Sequence, residues 1–175
     1  PDALALGAVN TVRFDADTTR GFNTDGPGFA RAIEDDFKVS LGNLKVAIAG
    51  AGGGAGQAIA TQCVLMGVEK LVLINRTVEK LGPLVERLHD IGSATSSVGL
   101  KPGDPSILPA ECLKPEHFVY DTIYQPPVTP MLALAQAKGC RTSNGLSMLI
   151  HQGALAFQHW FRDTDPLAVM RAALG

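Results

Sequence analysis

The run Gly50-Ala51-Gly52-Gly53-Gly54-Ala55-Gly56 constrains this chain more than any other part of it. The apolar segment KVAIA (45–49) leads into it, and a helical pattern, AGQAIATQCVLM, leads out and closes at Gly67. A second apolar run, LVLI (71–74), follows. Strand, glycine loop, helix and strand within about 30 residues predict a parallel βαβ unit, with both strands buried on both faces. Such a loop suits a phosphate. Several backbone N–H groups must reach one anion, side chains there would block it, and the helix adds its positive end. Gly50-x-Gly52-x-x-Ala55 satisfies the G/A form of the dinucleotide fingerprint. The bland alternative is a turn that only packs helix on strand. The strand before and the helix after argue for the nucleotide. A P-loop would need GK[ST] at the helix start, where this sequence has Gly56-Gln57.

The end of the second strand bears on which dinucleotide binds. NAD-binding folds usually carry Asp or Glu there for the ribose 2′-hydroxyl. This chain has Asn75-Arg76-Thr77, with Lys80 close behind. Arg and Lys attract a 2′-phosphate that a carboxylate would repel, and Arg can also stack on the adenine. NADP is therefore the expected cofactor. The competing reading makes Arg76 and Lys80 solvated surface charges.

Elsewhere LGAVNTVRF (6–14) reads as a short strand with a turn, and GFNTDG (21–26) as a turn. Phe29, Ile33 and Phe37 fall four apart and predict a helix from Pro27, capped by Asp25 or Gly26. Residues 78–90 read as helix, 91–117 mostly as loop, and 118–121 as strand. A helix from Pro130 is capped by Thr129 and followed by a short strand at 140–142. Leu146, Leu149, Ile150, Phe157 and Trp160 mark one stripe of a long helix, and Asp165-Pro166 starts a last one. A net charge of −2 supplies no basic field for nucleic acid or anionic lipid. No run of 18 apolar residues exists, so no membrane span is expected. Cys63, Cys112 and Cys140 form no CxxC and the histidines no HExxH. No metal site is expected, a reducing cytoplasm fits, and each histidine reads as an ordinary surface or packing residue.

Several segments together resemble the shikimate/quinate dehydrogenase family: GAVNT (7–11), NTDG (23–26), GAGG (50–53), NRT (75–77), YDTIYQPPVTPML (120–132) and NGLSMLIHQGALAFQHW (144–160). The resemblance runs from about residue 6 to residue 162. It implies reversible, NADP-dependent reduction of 3-dehydroshikimate to shikimate, a step of aromatic amino acid biosynthesis. It also implies an α/β fold. A Rossmann-like doubly wound parallel sheet would fill 26–144, a remnant of a smaller substrate domain 1–25, and C-terminal helices returning to that domain 145–175. Asp25 matches the family's catalytic aspartate, which works with a lysine. Asn10, Tyr124 and Gln152 match substrate-binding positions, with Asp25 beside them. Gly50, Ala51, Gly52, Gly53, Gly54 and Ala55 match the pyrophosphate loop. Asn75, Arg76, Thr77 and Lys80 match the 2′-phosphate pocket, and Thr122, Gly145 and Met148 fall near the nicotinamide. Asn, Gln and Tyr both donate and accept, as recognition of a polyhydroxylated ring requires. The simpler roles are a helix cap for Asp25, an Asx-turn for Asn10, a buried strand aromatic for Tyr124 and a solvated helix position for Gln152.

Three departures from the family pattern stand out. The family's catalytic lysine has no matching context here and is expected before Pro1, in a longer protein. The nucleotide lobe is short between Asn75 and Tyr120, where 94–100 resembles a family turn without its leading strand. Either a crossover unit was lost or a stretch is omitted, and omission is the reading preferred. The glycine loop is one residue longer than the common family form. The expected partners are a small-molecule substrate and a second copy in a homodimer. Two alternatives compete: a quinate or quinate/shikimate dehydrogenase, and a non-catalytic module that only binds NADP(H). A short-chain dehydrogenase would need YxxxK, but Tyr120 is followed by Tyr124.

Overall fold

The computed structural model describes residues 2–92, 95–97 and 109–174. The chain opens with helix α1 (Asp2–Leu6), then strands β1 (Thr11–Phe14) and β2 (Thr19–Phe22), which pair antiparallel. Leu6 thus closes a helix, and the strand expected over 6–14 is confined to its last four residues. Helix α2 (Asp25–Phe37) follows. Its N-cap is Thr24, not Asp25 or Gly26, and Asn23 Oδ1 accepts the Asp25 N–H at 3.0 Å. Helix α2 ends at Lys38 in the left-handed region (φ 60°), where Arg141 donates to the Phe37 carbonyl at 2.7 Å. A cation at that end suits the helix dipole.

Strand β3 (Lys45–Ala49), helix α3 (Gly54–Leu65), strand β4 (Lys70–Ile74), helix α4 (Gly82–Ile91) and strand β5 (Thr95–Ser97) form two consecutive parallel crossovers, with sheet order β3-β4-β5. This corrects the loop expected over 91–117. Three of its residues pair with β4, Leu71 opposite Thr95 through Leu73 opposite Ser97. The crossover after Asn75 is therefore present. Residues 93, 94 and 98–108, which include most of the family-like turn at 94–100, lie outside the described residues. Burial on both faces is also corrected. Ile48, Leu71 and Leu73 point into one core with Ile59, Cys63, Leu81, Leu84 and Leu88, while Ala47 and Ala49 are exposed. In register, Val46 faces Leu71 and Ile48 faces Leu73, so helices α3 and α4 cover a single face.

Strand β6 (Phe118–Tyr120), helix α5 (Pro130–Ala137) and strand β7 (Arg141–Ser143) make a third parallel unit. Thr129 caps α5 by accepting the Leu132 N–H, as its sequence predicts. Val119 packs toward α5, while Phe118 and Tyr120 pack on Phe37, and Tyr120 also meets Phe29 edge-on. Among the described residues no ladder joins β3 to β6, so the one sheet expected is two parallel pieces bridged by α2.

Helix α6 (Leu146–Trp160) lies along α2, and helix α7 (Leu167–Leu174) closes the described chain. The far end of α6 holds the β1–β2 hairpin. Trp160 Nε1 donates to the Val12 carbonyl at 2.8 Å, Arg13 to the His159 carbonyl at 3.1 Å, and His159 stacks on Phe22. An isolated two-stranded hairpin is marginal, so these contacts supply much of its order. Of the two roles expected for the histidines, surface or packing, His151 takes the second: it is 3% exposed and bonded to Asp35 at 2.6 Å, and Arg171 of α7 reaches the same oxygen. Burial raises the Asp35 carboxyl, but the hydrogen bonds and the electrostatic attraction of His151 and Arg171 together outweigh it and hold it below the ordinary value. The three cysteines are free. Among the described residues no helix is long and apolar enough to cross a membrane, and no three His, Cys, Asp or Glu side chains gather as a metal site.

Candidate active site

Asn10 sits where the chain enters β1, and its N–H donates to the Phe22 carbonyl across the hairpin. That pairing brings its amide to the start of α2. Asn10 Nδ2 donates to Asp25 Oδ1 at 2.9 Å and to Thr24 Oγ1 at 3.1 Å, while Asn10 Oδ1 accepts the Thr24 N–H at 3.0 Å. Gln152, on α6, completes the group with Oε1 3.4 Å from Thr24 Oγ1 and Nε2 donating to the Leu149 carbonyl. Three of the four expected substrate positions thus meet around one buried hydroxyl. Glycine permits this closeness. A Cβ on Gly28 would stand 2.8 Å from Gln152 Cβ and 2.9 Å from its backbone nitrogen. The simple cap assigned to Asp25 and the solvated position assigned to Gln152 do not describe these contacts. Tyr124 is the exception. It is 46% exposed in the loop after β6, not buried in a strand, and among the described residues no hydrogen bond ties it to the cluster.

The N-terminal end of α2 also rests on α3, with Gly26 against Gln62 and Ala58. Helix α3 begins in the glycine loop, so the polar cluster and the loop share one helix. Gly50 has φ 79°, and its N–H and that of Ala51 both donate to the Ile74 carbonyl. Gly52 donates to Asn75 Oδ1 at 3.3 Å, and a Cβ on it would lie 2.7 Å from Asn75 Nδ2. Gly53, Gly54 and Ala55 are exposed, and the first-turn amides of α3 have no earlier helical carbonyl to bond. Within the loop the strictest packing falls on Gly56, whose Cβ would stand 2.5 Å from the Gly50 carbonyl oxygen and 2.8 Å from Ala51 Cα. Ala55 therefore does not fill the third fingerprint role assigned to it. Gly56 does, one position later, which accounts for the longer loop. Gly54 faces open space. These bare surfaces fit a pyrophosphate against the loop.

Past β4, Asn75 turns back on the chain, with Nδ2 donating to the Thr77 carbonyl at 2.7 Å. Arg76, Thr77 and Lys80 are exposed beside it. Among the described residues no acid pairs with Arg76 or Lys80, so both remain available to an anion. At the head of α6, Gly145 passes so close to Thr122 that a Cβ would fall 2.0 Å from the Thr122 carbonyl oxygen. Met148, one turn on, is buried, and its N–H donates to Tyr120 Oη at 3.3 Å. Burial above all pushes the Tyr120 phenol up to about 12, so it stays neutral as that acceptor. Sequence reasoning missed Gly56, Thr24 and Tyr120. Thr24 lies inside NTDG, and a second glycine register was readable in the loop, but nothing local signals Tyr120.

The family model for the shikimate 5'-dehydrogenase C-terminal domain matches residues 145–174. The shikimate dehydrogenase (NADP(+)) of Methanopyrus kandleri is 33% identical over 199 residues, taking in 99% of this chain and 68% of that protein. That span exceeds the 175 residues of this chain, so the relative carries residues inside the match that this chain lacks. Shikimate 5-dehydrogenase from Listeria monocytogenes, solved with shikimate and NAD, aligns at a TM-score of 0.89 and 30% identity, over 100% of this chain and 70% of that one. The Thermus thermophilus enzyme, solved with NADP(H) and shikimate, aligns at 0.80 and 32% identity, over 99% and 69%. A match that takes in 99% of this chain and 68% of a relative at 33% identity settles the kinship, and this protein belongs to the shikimate dehydrogenase family.

Proposed function

We propose that the protein interconverts shikimate and 3-dehydroshikimate with NADP, using the Asn10–Thr24–Asp25–Gln152 cluster as the substrate side of its site. The observation that carries this reading is the meeting of that cluster at the head of α2, where the next residue, Gly26, packs on α3, the helix that the glycine loop opens. Gly50 to Gly56 hold the pyrophosphate, chiefly through the α3 first-turn amides. Asn75, Arg76, Thr77 and Lys80 receive the 2′-phosphate, and Thr122, Gly145 and Met148 border the nicotinamide. When bound, the dinucleotide supplies the hydride acceptor or donor. Asp25 has Oδ1 fixed by Asn10, while among the described residues Oδ2 has no hydrogen bond. That free oxygen takes the reacting hydroxyl and draws its proton as the carbon gives up hydride. Asn10, Gln152 and Tyr124 hold the other hydroxyls and the carboxylate of the ring, each able to donate and accept. A module that only bound NADP(H) would have no use for such a cluster.

The test is NADPH formation by the full-length protein given shikimate and NADP, with quinate in parallel. Shikimate-dependent turnover is expected. Cofactor binding without turnover on either acid would sink the dehydrogenase reading. Arg76→Ala separates the cofactors. A charge-assisted contact is worth about 1.5–3 kcal/mol, and for an exposed Arg the lower figure applies, so NADPH affinity should fall ~10-fold. NADH affinity should change less than ~2-fold, because it lacks the phosphate. Fluorescence titration reads both, and equal losses would remove Arg76 from the phosphate pocket.

A further inference from the structure

We propose that Thr24 is a positioning residue whose single buried hydroxyl, made an acceptor by Asn10, sets which way the Gln152 amide faces. The proposal rests on the dehydrogenase reading for its kinetic part only. Thr24 is 1% exposed, so its hydroxyl must find partners inside the protein. Counting donors and lone pairs assigns them. Asn10 Oδ1 already accepts the Thr24 N–H at 3.0 Å and the Thr11 hydroxyl at 3.0 Å, which fills both of its lone pairs. Asn10 Nδ2 spends its two hydrogens on Thr24 Oγ1 and Asp25 Oδ1. Thr24 Oγ1 therefore accepts from Asn10, and its own proton goes to Gln152 Oε1, 3.4 Å away. The other contact within reach, Asn10 Oδ1 at 3.3 Å, has no lone pair left.

Gln152 is thereby fixed with its oxygen toward Thr24. Its Nε2 gives one hydrogen to the Leu149 carbonyl and keeps one for a ligand. Asn10, in turn, must point its amide nitrogen at Asp25. A flip of either amide would set oxygen against oxygen and leave a buried group unpaired. The same hydroxyl thus orders a donor on α6 and steadies the carboxylate at the head of α2. Gly28, closed against the Gln152 backbone, leaves α6 little freedom to compensate.

The experiment compares Thr24→Val and Thr24→Ser in the full-length enzyme. Val keeps the shape and drops the hydroxyl, while Ser keeps the hydroxyl. For Thr24→Val, kcat/KM for shikimate should fall ~10–30-fold, mostly through KM, with NADP KM within ~2-fold, on the scale of one buried hydrogen-bond network. Thr24→Ser should stay within ~3-fold of wild type. The proposal is overturned if Thr24→Val keeps kcat/KM within ~2-fold, or if Thr24→Ser is as impaired as Thr24→Val. Should Thr24→Val also lose NADPH binding, Thr24→Ala takes its place under the same readings. A readout independent of activity is the nitrogen-edited NMR signal of the Asn10 side-chain amide. The proton facing residue 24 should be slow to exchange in wild type and Thr24→Ser and should move toward its free-amide value in Thr24→Val, while the proton on Asp25 holds its position. No change there would overturn the proposal too. Absent turnover in wild type would count against the dehydrogenase reading and leave this spectral test standing.

Discussion

Asp25→Asn should lower kcat for shikimate oxidation by ~10²–10⁴-fold, the range expected when a positioned acid–base group is removed. Steady-state rates with saturating NADP check it. Asn has nearly the same shape, and its Oδ1 can still accept from Asn10, so the bond that orders the cluster survives. NADPH affinity should stay within ~2-fold, since the loop bonds from Gly50, Ala51 and Gly52 involve no part of this cluster. The size of the effect decides between two roles. If Asp25 served only to place a negative charge in the first turn of α2, the variant would lose about 0.3–1 kcal/mol of stability and keep its turnover. A kcat within ~3-fold of wild type would therefore remove Asp25 from the chemistry.

Gly56→Ala should destabilise the fold by about 1–3 kcal/mol, the usual cost of overpacking, and weaken NADPH by more than ~30-fold. The sign is not obvious in advance. Alanine in a helix is favoured over glycine by about 0.8–1 kcal/mol, so on propensity alone the variant would gain. The clash decides otherwise. The new methyl would stand 2.5 Å from a backbone carbonyl and 2.8 Å from a backbone Cα, neither of which can rotate aside as a side-chain tip can. Relief requires α3 to lift away from the loop, which spoils the cradle. Gly54→Ala is the matched control. It lies in the same first turn with open space around its Cβ, so its melting temperature should hold or rise slightly. Thermal melting of both variants makes the comparison, and fluorescence titration reads the NADPH loss in Gly56→Ala. If the two melt alike, Gly56 has no special packing role.

The elements were largely readable because their signals are local. Apolar runs marked β3 and β4, four-residue spacing marked α2 and α6, and Thr129-Pro130 marked the start of α5. What escaped depends on partners distant in sequence. Strand β5 is three residues of Thr and Ser, with no hydrophobic pattern of its own, and exists through its ladder to β4. The exposed face of β3 follows from both crossover helices falling on one side, which a strand's own composition does not reveal. In the site, Asn10, Asp25 and Gln152 were singled out through family motifs, and the structure brings them together through Thr24. Thr24 was passed over because the cap was expected at Asp25 or Gly26; Thr24 is the N-cap residue, yet its hydroxyl caps nothing and meets Asn10 and Gln152 instead. His151 showed no signal because its two partners lie 116 and 20 residues away.

Helix α6 carries one further consequence. Its 15 residues run about 22 Å as a single rod. Its head is wedged at Thr122 through Gly145, its middle presents Gln152, and its tail grips the hairpin that bears Asn10. The Thr122 contact and the hairpin that bears Asn10 are thus fixed to the two ends of one stiff rod. A tilt of α6 at Gly145 is carried to the hairpin rather than absorbed along the way.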